Sequence, residues 1–342
     1  MSSTTSSSRN NRVHARLLRW YRLARRDMPW RRRVSPYRTW VSEIMLQQTT
    51  AASVAAKYER FLRRFPDLSA LATATEDEVL ERWAGLGYYR RARNLRRAAL
   101  EVMSRHGGTF PSDFDAVLAL PGIGRYTAGA ILSIAFRRPY PVVDGNVIRV
   151  FSRLFGLRGR AKDPAFIKRI WSLAATLVPK KDPGDWNQAL MELGATVCTP
   201  GSPSCGVCPV ANVCVAHKKE LQDRLPTPEK RREVIAVRWV CFWILRNEKI
   251  LIWRRSQKER LLKDLWGLPE ARQIAAVPGR RLAAVSHAIT HHALSVELRE
   301  AAWPEGRKLP QEARWVSAKK ATGYLVSSLW LKLLKAASAG VG

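Results

Sequence analysis

Four cysteines, Cys198, Cys205, Cys208 and Cys214, form a C-x6-C-x2-C-x5-C array within 17 residues. Such spacings let one loop wrap a single metal centre, and thiolates so arranged ligate iron–sulfur clusters or zinc. Paired disulfides are the alternative reading. The sequence shows no secretory signal and no further cysteine pair, which predicts a reducing, cytoplasmic setting and reduced thiols. Zinc favours two C-x2-C knuckles, and only Cys205 and Cys208 form one. The pattern therefore points towards a [4Fe–4S] cluster.

Two carboxylates and a glycine-rich turn form a second constellation. Glu43 lies among apolar Val41, Ile44 and Met45 in a helical stretch. Burial there raises a carboxyl pKa, the condition for an acid that gives up a proton near neutrality. Leu120-Pro-Gly-Ile-Gly-Arg-Tyr-Thr places Gly122 and Gly124 just before an apolar helix. A helix N-terminus in that position presents unpaired N–H groups that can hold a phosphate without reading its base. Asp144, in Val143-Asp-Gly-Asn-Val147, stands where a helix N-cap is expected, and one carboxylate can both cap and catalyse.

The elements that must position these groups read as helices from Val13 to the cysteine loop. Apolar residues recur at three-to-four spacing over 76–84, 90–105, 114–119, 126–136, 146–155, 165–177 and 185–194. Pro66, Gly107-Gly108, Pro139 and Pro183-Gly184 interrupt them. Residues 1–10 are Ser/Thr-rich and predict a disordered tail. Residues 217–233, polar and broken by Pro226 and Pro228, predict an exposed connector on which protein partners could dock. Beyond it, 234–245, 249–253 and 295–299 are rich in β-branched and aromatic residues, and 326–336 is helical in pattern. The expected organisation is an all-α domain over 11–216 and an α+β domain over 234–342, with Cys241 a core residue of the latter's first strand.

The composition sets the partner. The chain has 342 residues and 13 tryptophans, enough for two cores, and 59 basic residues against 28 acidic ones. A net charge of +31 exceeds what a merely solvated face requires and implies a polyanion. There is no apolar run near the length of a membrane span, so nucleic acid is preferred over a membrane.

Taken in order, the blocks RRDMPWR (25–31), WVSEIMLQQT (40–49), GLGYYRRARNL (85–95), LPGIGRYTAGAI (120–131), VDGNVIRV (143–150), NQALMELGATVC (187–198) and the cysteine array resemble the helix-hairpin-helix glycosylases of the endonuclease III superfamily. Within that group the match is to the MutY adenine glycosylases, and it covers about 14 to 330. The resemblance implies a monomer acting on double-stranded DNA with A:8-oxoguanine or A:G mispairs. It implies Glu43 as the acid for adenine N7, Asp144 as the carboxylate facing the sugar, and Asn146 as an orienting group. Arg26, Trp30, Arg31 and Gln188 would surround the flipped base, and Gln48, Leu86 and Tyr88 would fill the opened stack, with Arg90, Arg91, Arg93, Arg96 and Arg97 supporting backbone contacts. Strand-cutting relatives carry a lysine where this chain has Tyr126, which implies a monofunctional enzyme. A T:G mismatch glycosylase and a non-catalytic DNA-binding protein of the same fold are the alternatives.

The C-terminal part resembles a MutT-like (Nudix-like) domain through Leu265-Trp-Gly-Leu-Pro-Glu270, but no REUxEExGU acid cluster follows, so no Mg²⁺ platform for pyrophosphate hydrolysis is expected. Reading of 8-oxoguanine is the implied role. Ile289-Thr290-His291 stands where the family often has Phe-Ser-His, with Thr290 keeping the hydroxyl and His291 the imidazole.

Overall fold

A computed structural model describes residues 2–229, 233–274 and 276–339. The chain forms two compact units, one of Met1–Thr73 with Asn94–Lys230 and the other of Ala74–Arg93 with Arg231–Gly342. The expected boundary near 216 is therefore incomplete, because Ala74–Arg93, helical in sequence, groups with the C-terminal residues.

The helices are α1 (Ser2–Ala24), α2 (Pro29–Arg32), α3 (Pro36–Leu46), α4 (Ala51–Arg64), α5 (Leu68–Thr73), α6 (Glu76–Trp83), α7 (Arg90–Arg105), α8 (Phe114–Ala119), α9 (Arg125–Ile134), α10 (Gly145–Phe155), α11 (Pro164–Leu177) and α12 (Pro183–Thr196). Short turns of 3-10 helix at Cys205–Val207 and Ala211–Val213 precede α13 (Val215–Lys218). In α1, Val13, Leu17 and Tyr21 repeat at four-residue spacing and are buried in the helical core. Val13 and Leu17 each contribute about 1.5–3 kcal/mol by leaving water. The helix runs back to Ser2, where the composition predicts disorder. Once the packed turns have met the cost of nucleation, extension by further residues is cheap.

Helix α1 packs on α12, α12 on α9 and α10, and α9 on α3. These four contacts bring Glu43 on α3, Tyr126 on α9, the head of α10 and the face of α12 into one neighbourhood. Local chemistry sets the starts. Ser35 caps α3 by accepting from the Arg38 N–H, with Pro36 in the first turn. In the α8–α9 hairpin Gly122 has φ +80° and its missing Cβ would stand 2.7 Å from the Asn94 Cβ, so no other residue fits the turn.

The segment 217–229, expected to be exposed, is instead tied to the helical unit. Leu225 is buried, the Thr227 N–H donates to the Gly159 carbonyl at 2.9 Å, and the Lys162 N–H donates to Glu229 at 3.1 Å. Its backbone groups find partners that a polar composition does not announce. Of the rest of the expected connector, 230–232 lie outside the described residues.

In the second unit, β1 (Ile235–Trp243) pairs in parallel with β6 (His292–Glu300), which pairs antiparallel with β5 (Arg281–Ile289). A second sheet joins β2 (Leu245–Arg246), β3 (Lys249–Arg254), β4 (Trp266–Gly267) and β7 (Ala313–Ser317), with β3 pairing all three others. Helices α14 (Ala318–Tyr324) and α15 (Ser328–Ala339) follow. Leu329, Trp330 and Leu333 of α15 are buried in the core with Cys241, Ile250 and Val296. Within this unit the Tyr89 hydroxyl donates to the Val326 carbonyl, and Arg93 bridges Glu76 and the Asp264 carbonyl. Leu265-Trp-Gly-Leu-Pro-Glu270 is built into the core: Leu265 and Leu268 are buried, and buried Glu270 accepts from Arg255 and Arg272.

Candidate active site and cluster loop

Glu43 sits on the inward face of α3 and is 4% exposed. Its Oε2 accepts a 2.7 Å hydrogen bond from the Tyr126 hydroxyl, which also lies 3.1 Å from the Met191 sulfur. Burial pushes the Glu43 carboxyl up to about 7; the Asp144 charge adds to the rise, while the Tyr126 hydrogen bond and Arg31 oppose it. A proton on the remaining oxygen is thus held to near neutrality. This is what a general acid needs.

Asp144 is the N-cap of α10, accepting the Val147 N–H on Oδ1 and the Asn146 amide on Oδ2, both at 2.8 Å. Burial raises its pKa above the usual carboxylate value, and these hydrogen bonds and Arg149 limit the rise without cancelling it. Every donor aimed at Asp144 favours its anionic form, so the cap prepares a carboxylate that can face a developing cation. Tyr126 feels both acids, and burial followed by their charges keeps its hydroxyl protonated. Glu43, Tyr126, Asp144 and Asn146 therefore form one cluster.

Around it the expected base-contact residues take different parts. Trp30 is half-buried and packs edge-to-face on Tyr58, with ring centroids 5.8 Å apart. Gln188 lies half-buried on α12, one turn before Glu192. Arg26 and Arg31 do not point freely into a pocket; both donate to Glu192, a buried acid that the sequence motifs did not single out. Its signal was present, an acid in the apolar run Ala189-Leu-Met-Glu-Leu193 at the (i, i+4) position from Gln188.

Gln48 is exposed at the end of α3 with φ +58°, and Tyr88, in the second unit, is 48% exposed with φ +48°. Leu86 is 4% exposed, its apolar side chain taken from water in the turn after α6. The arginine run is likewise partly internal. Arg91 lies over the Trp83 and Tyr88 rings and donates to the Leu86 and Gly87 carbonyls, and Arg93 is held as described above. Thr290 and His291 form the two-residue turn between β5 and β6, where Thr290 takes φ +55° and its hydroxyl donates to the Ile289 carbonyl at 2.6 Å. His292 begins β6, and partly buried Ile289 packs against the core.

Cys198, Cys205, Cys208 and Cys214 line one cavity with Arg153, His217 and Gln222, and none is in a disulfide. Among the described residues no three ligating side chains stand close enough for a single ion. Four thiols around a shared hollow suit a multinuclear cluster better than one zinc. Burial pushes the Cys208 thiol up to about 11, and neighbouring thiols add to the rise, so ionisation of the set calls for a cationic centre. Arg153, buried on α10, donates to the Cys198 sulfur at 3.4 Å and to the carbonyls of Thr199, Pro200, Gln222 and Leu225. One turn earlier, Arg149 donates to the Cys198 carbonyl, the Gly194 carbonyl and the Asn146 amide oxygen at 2.7–2.8 Å. Asp144, Asn146, Arg149 and Cys198 are thus linked in series. Close approach of α12 makes this possible, since a Cβ on Gly194 would stand 2.5 Å from the Asn146 Cβ.

A helical hairpin, a buried acid facing a capping carboxylate and a cluster loop together define a helix-hairpin-helix base-excision glycosylase. Residues 41–175 match the family described as HhH-GPD superfamily base excision DNA repair protein, and 198–214 match the iron–sulfur binding domain of endonuclease III. The chain is 35% identical over 256 residues to an adenine DNA glycosylase of Buchnera aphidicola subsp. Acyrthosiphon pisum, covering 74% of this chain and 73% of the relative. It is 47% identical over 218 residues to that of Rattus norvegicus, covering 61% of this chain and 42% of the relative. The chain belongs to the adenine DNA glycosylase family. Among solved structures, a thermostable thymine-DNA glycosylase is 30% identical with TM-score 0.57, covering 63% of this chain and 99% of that one. A non-covalent endonuclease III–DNA complex at 23% identity and TM-score 0.53, covering 62% of this chain and 98% of that one, shares the fold. The [4Fe–4S] cluster expected from the cysteines is borne out by the iron–sulfur match, which spans Cys198, Cys205, Cys208 and Cys214. No described helix is long and apolar enough to cross a membrane.

Proposed function

We propose that this glycosylase hydrolyses the N-glycosidic bond of adenine opposite 8-oxoguanine or guanine in duplex DNA and leaves the strand uncut. Glu43, with Tyr126 hydrogen-bonded to one oxygen, gives the proton on the other to N7 of the extruded adenine. The purine then departs as a neutral base. Asp144, oriented by Asn146, steadies the positive charge left on the sugar, and water completes hydrolysis. Arg26, Arg31, Trp30 and Gln188 shape the base pocket. Gln48, Leu86 and Tyr88 are the groups for the opened stack, and the turn at Gly122 and Gly124 with the α9 N-terminus serves a phosphate. Tyr126 cannot form a Schiff base, so strand cleavage is not catalysed. When bound, the cluster supplies a cationic, rigid centre that holds its loop. Thr290 and His291 present a hydroxyl and an imidazole to the lesion base. The enzyme acts as a cytoplasmic monomer.

The observation that carries this reading is the buried Glu43, with its carboxyl lifted to about 7, beside Tyr126 and Asp144. The similarity to a thymine-DNA glycosylase keeps a second reading in view, T:G mismatch repair. Single-turnover assays on A:8-oxoguanine, A:G and T:G duplexes separate the two. Adenine release from the first two without strand breaks is expected. Thymine release without adenine release would overturn the proposal.

A further inference from the structure

The Tyr126 hydroxyl has more acceptors within reach than it has protons to give. Its oxygen stands 2.7 Å from Glu43 Oε2 and 3.1 Å from the sulfur of Met191, a partly buried side chain of α12 packed on the helical core. A phenol carries one O–H. Burial and the neighbouring acids keep that hydroxyl protonated, so a single proton serves both neighbours.

The two acceptors differ in strength, and only one of them changes during the proposed reaction. An ionised carboxylate draws a donor about twice as strongly as a neutral group does, whereas a thioether accepts weakly whatever its surroundings. Before Glu43 gives up its proton its carboxyl is neutral, and the sulfur shares the phenol O–H. Afterwards the carboxylate takes that bond outright. The Met191 contact therefore belongs mainly to the neutral acid, and a contact that favours the neutral form strengthens a carboxyl's hold on its proton. Among the described residues the charged and titratable groups that bear on Glu43 are Tyr126 from α9, Asp144 at the head of α10 and Arg31 from α2; α4, which also packs on α3, adds none. Met191 is uncharged, so its replacement leaves all three in place.

We infer that Met191 is a positioning residue whose sulfur competes with Glu43 for the Tyr126 proton and so keeps the acid loaded for transfer. This role rests on the reading of Glu43 as the acid. A side chain that only filled space would leave the pH dependence of the reaction alone.

The test is the pH dependence of single-turnover adenine release from an A:8-oxoguanine duplex by the full, cluster-loaded chain. Rates should fall with rising pH as Glu43 ionises. Met191→Leu and Met191→Ile both remove the sulfur and keep the bulk, in different shapes. Each should displace the falling limb by about half a pH unit towards acid, so that release on the alkaline side is about threefold slower relative to the variant's own acid plateau. In a Tyr126→Phe background the same replacements should leave the limb where that variant has it, because the contested proton is gone. Where turnover is too slow to follow, the ¹³C carboxyl resonance of labelled glutamate that disappears in Glu43→Gln reads the same titration. Circular dichroism checks folding, and if one Met191 variant does not fold the other decides. A limb that stays put, a displacement in only one of two folded variants, or a displacement that persists without the phenol overturns the inference. Failure of the underlying reading looks different: the parent chain would then show no falling limb, or Glu43→Gln would still release adenine.

Discussion

With its carboxyl held protonated up to about 7, Glu43 keeps a proton in the folded chain that the unfolded chain releases near the ordinary value of 4.5. Below 4.5 both states are protonated and the group is neutral to stability. As pH rises towards 7 unfolding releases a proton, so stability falls; above 7 the full cost persists. The shift corresponds to about 3 kcal/mol at most. Glu43→Gln should therefore raise the melting temperature at mildly alkaline pH and leave it nearly unchanged at acidic pH, as read by thermal denaturation. An equal effect at both would mean that the carboxyl is not buried against its charge. Glu43 is legible in the sequence because an acid among Val41, Ile44 and Met45 has nowhere wet to go. The partners of Arg26 and Arg31 were not legible, since Glu192 lies more than 160 residues away in the chain. The burial of Leu86 was not legible, because a motif gives a residue's type but not whether its side chain turns inward.

Among elements, α10 carries the most. Its cap faces the proposed chemistry, Arg149 joins that cap to the cluster loop, and Arg153 binds the loop to the segment that follows it. Arg153→Met would leave the carbonyls of Thr199, Pro200, Gln222 and Leu225 without their donor, at a cost of about 3 kcal/mol or more. The variant should bleach the visible cluster absorption faster in air than the parent chain, while far-ultraviolet circular dichroism stays helical. Unchanged bleaching would remove Arg153 as the clamp. Most helices, such as 114–119 and 145–155, were readable from apolar spacing, because local periodicity decides them. The parallel pairing of β1 with β6 was not, since nothing in either strand names a partner some 57 residues away. Nor was the docking of 217–229, whose polar side chains hide a backbone satisfied by Gly159 and Arg153.

Across the whole molecule, charge outweighs every local feature in setting how the chain meets its substrate. A formal +31 implies that duplex binding is driven by release of counterions from phosphate. If about six to ten phosphates are contacted, affinity for any duplex should fall roughly 10³- to 10⁵-fold between about 50 and 200 mM salt. Fluorescence anisotropy over a salt series checks this, and a flat response would contradict it. Charge was fully legible in the composition, whereas the grouping of Ala74–Arg93 with the C-terminal unit was not, because it depends on contacts made after folding. The central claim is that a buried glutamic acid protonates the departing adenine, and the most direct test measures binding and release on one preparation of Glu43→Gln with an A:8-oxoguanine duplex. Near-parental binding with adenine release lost by several orders of magnitude is the predicted result; release at a parental rate would contradict it.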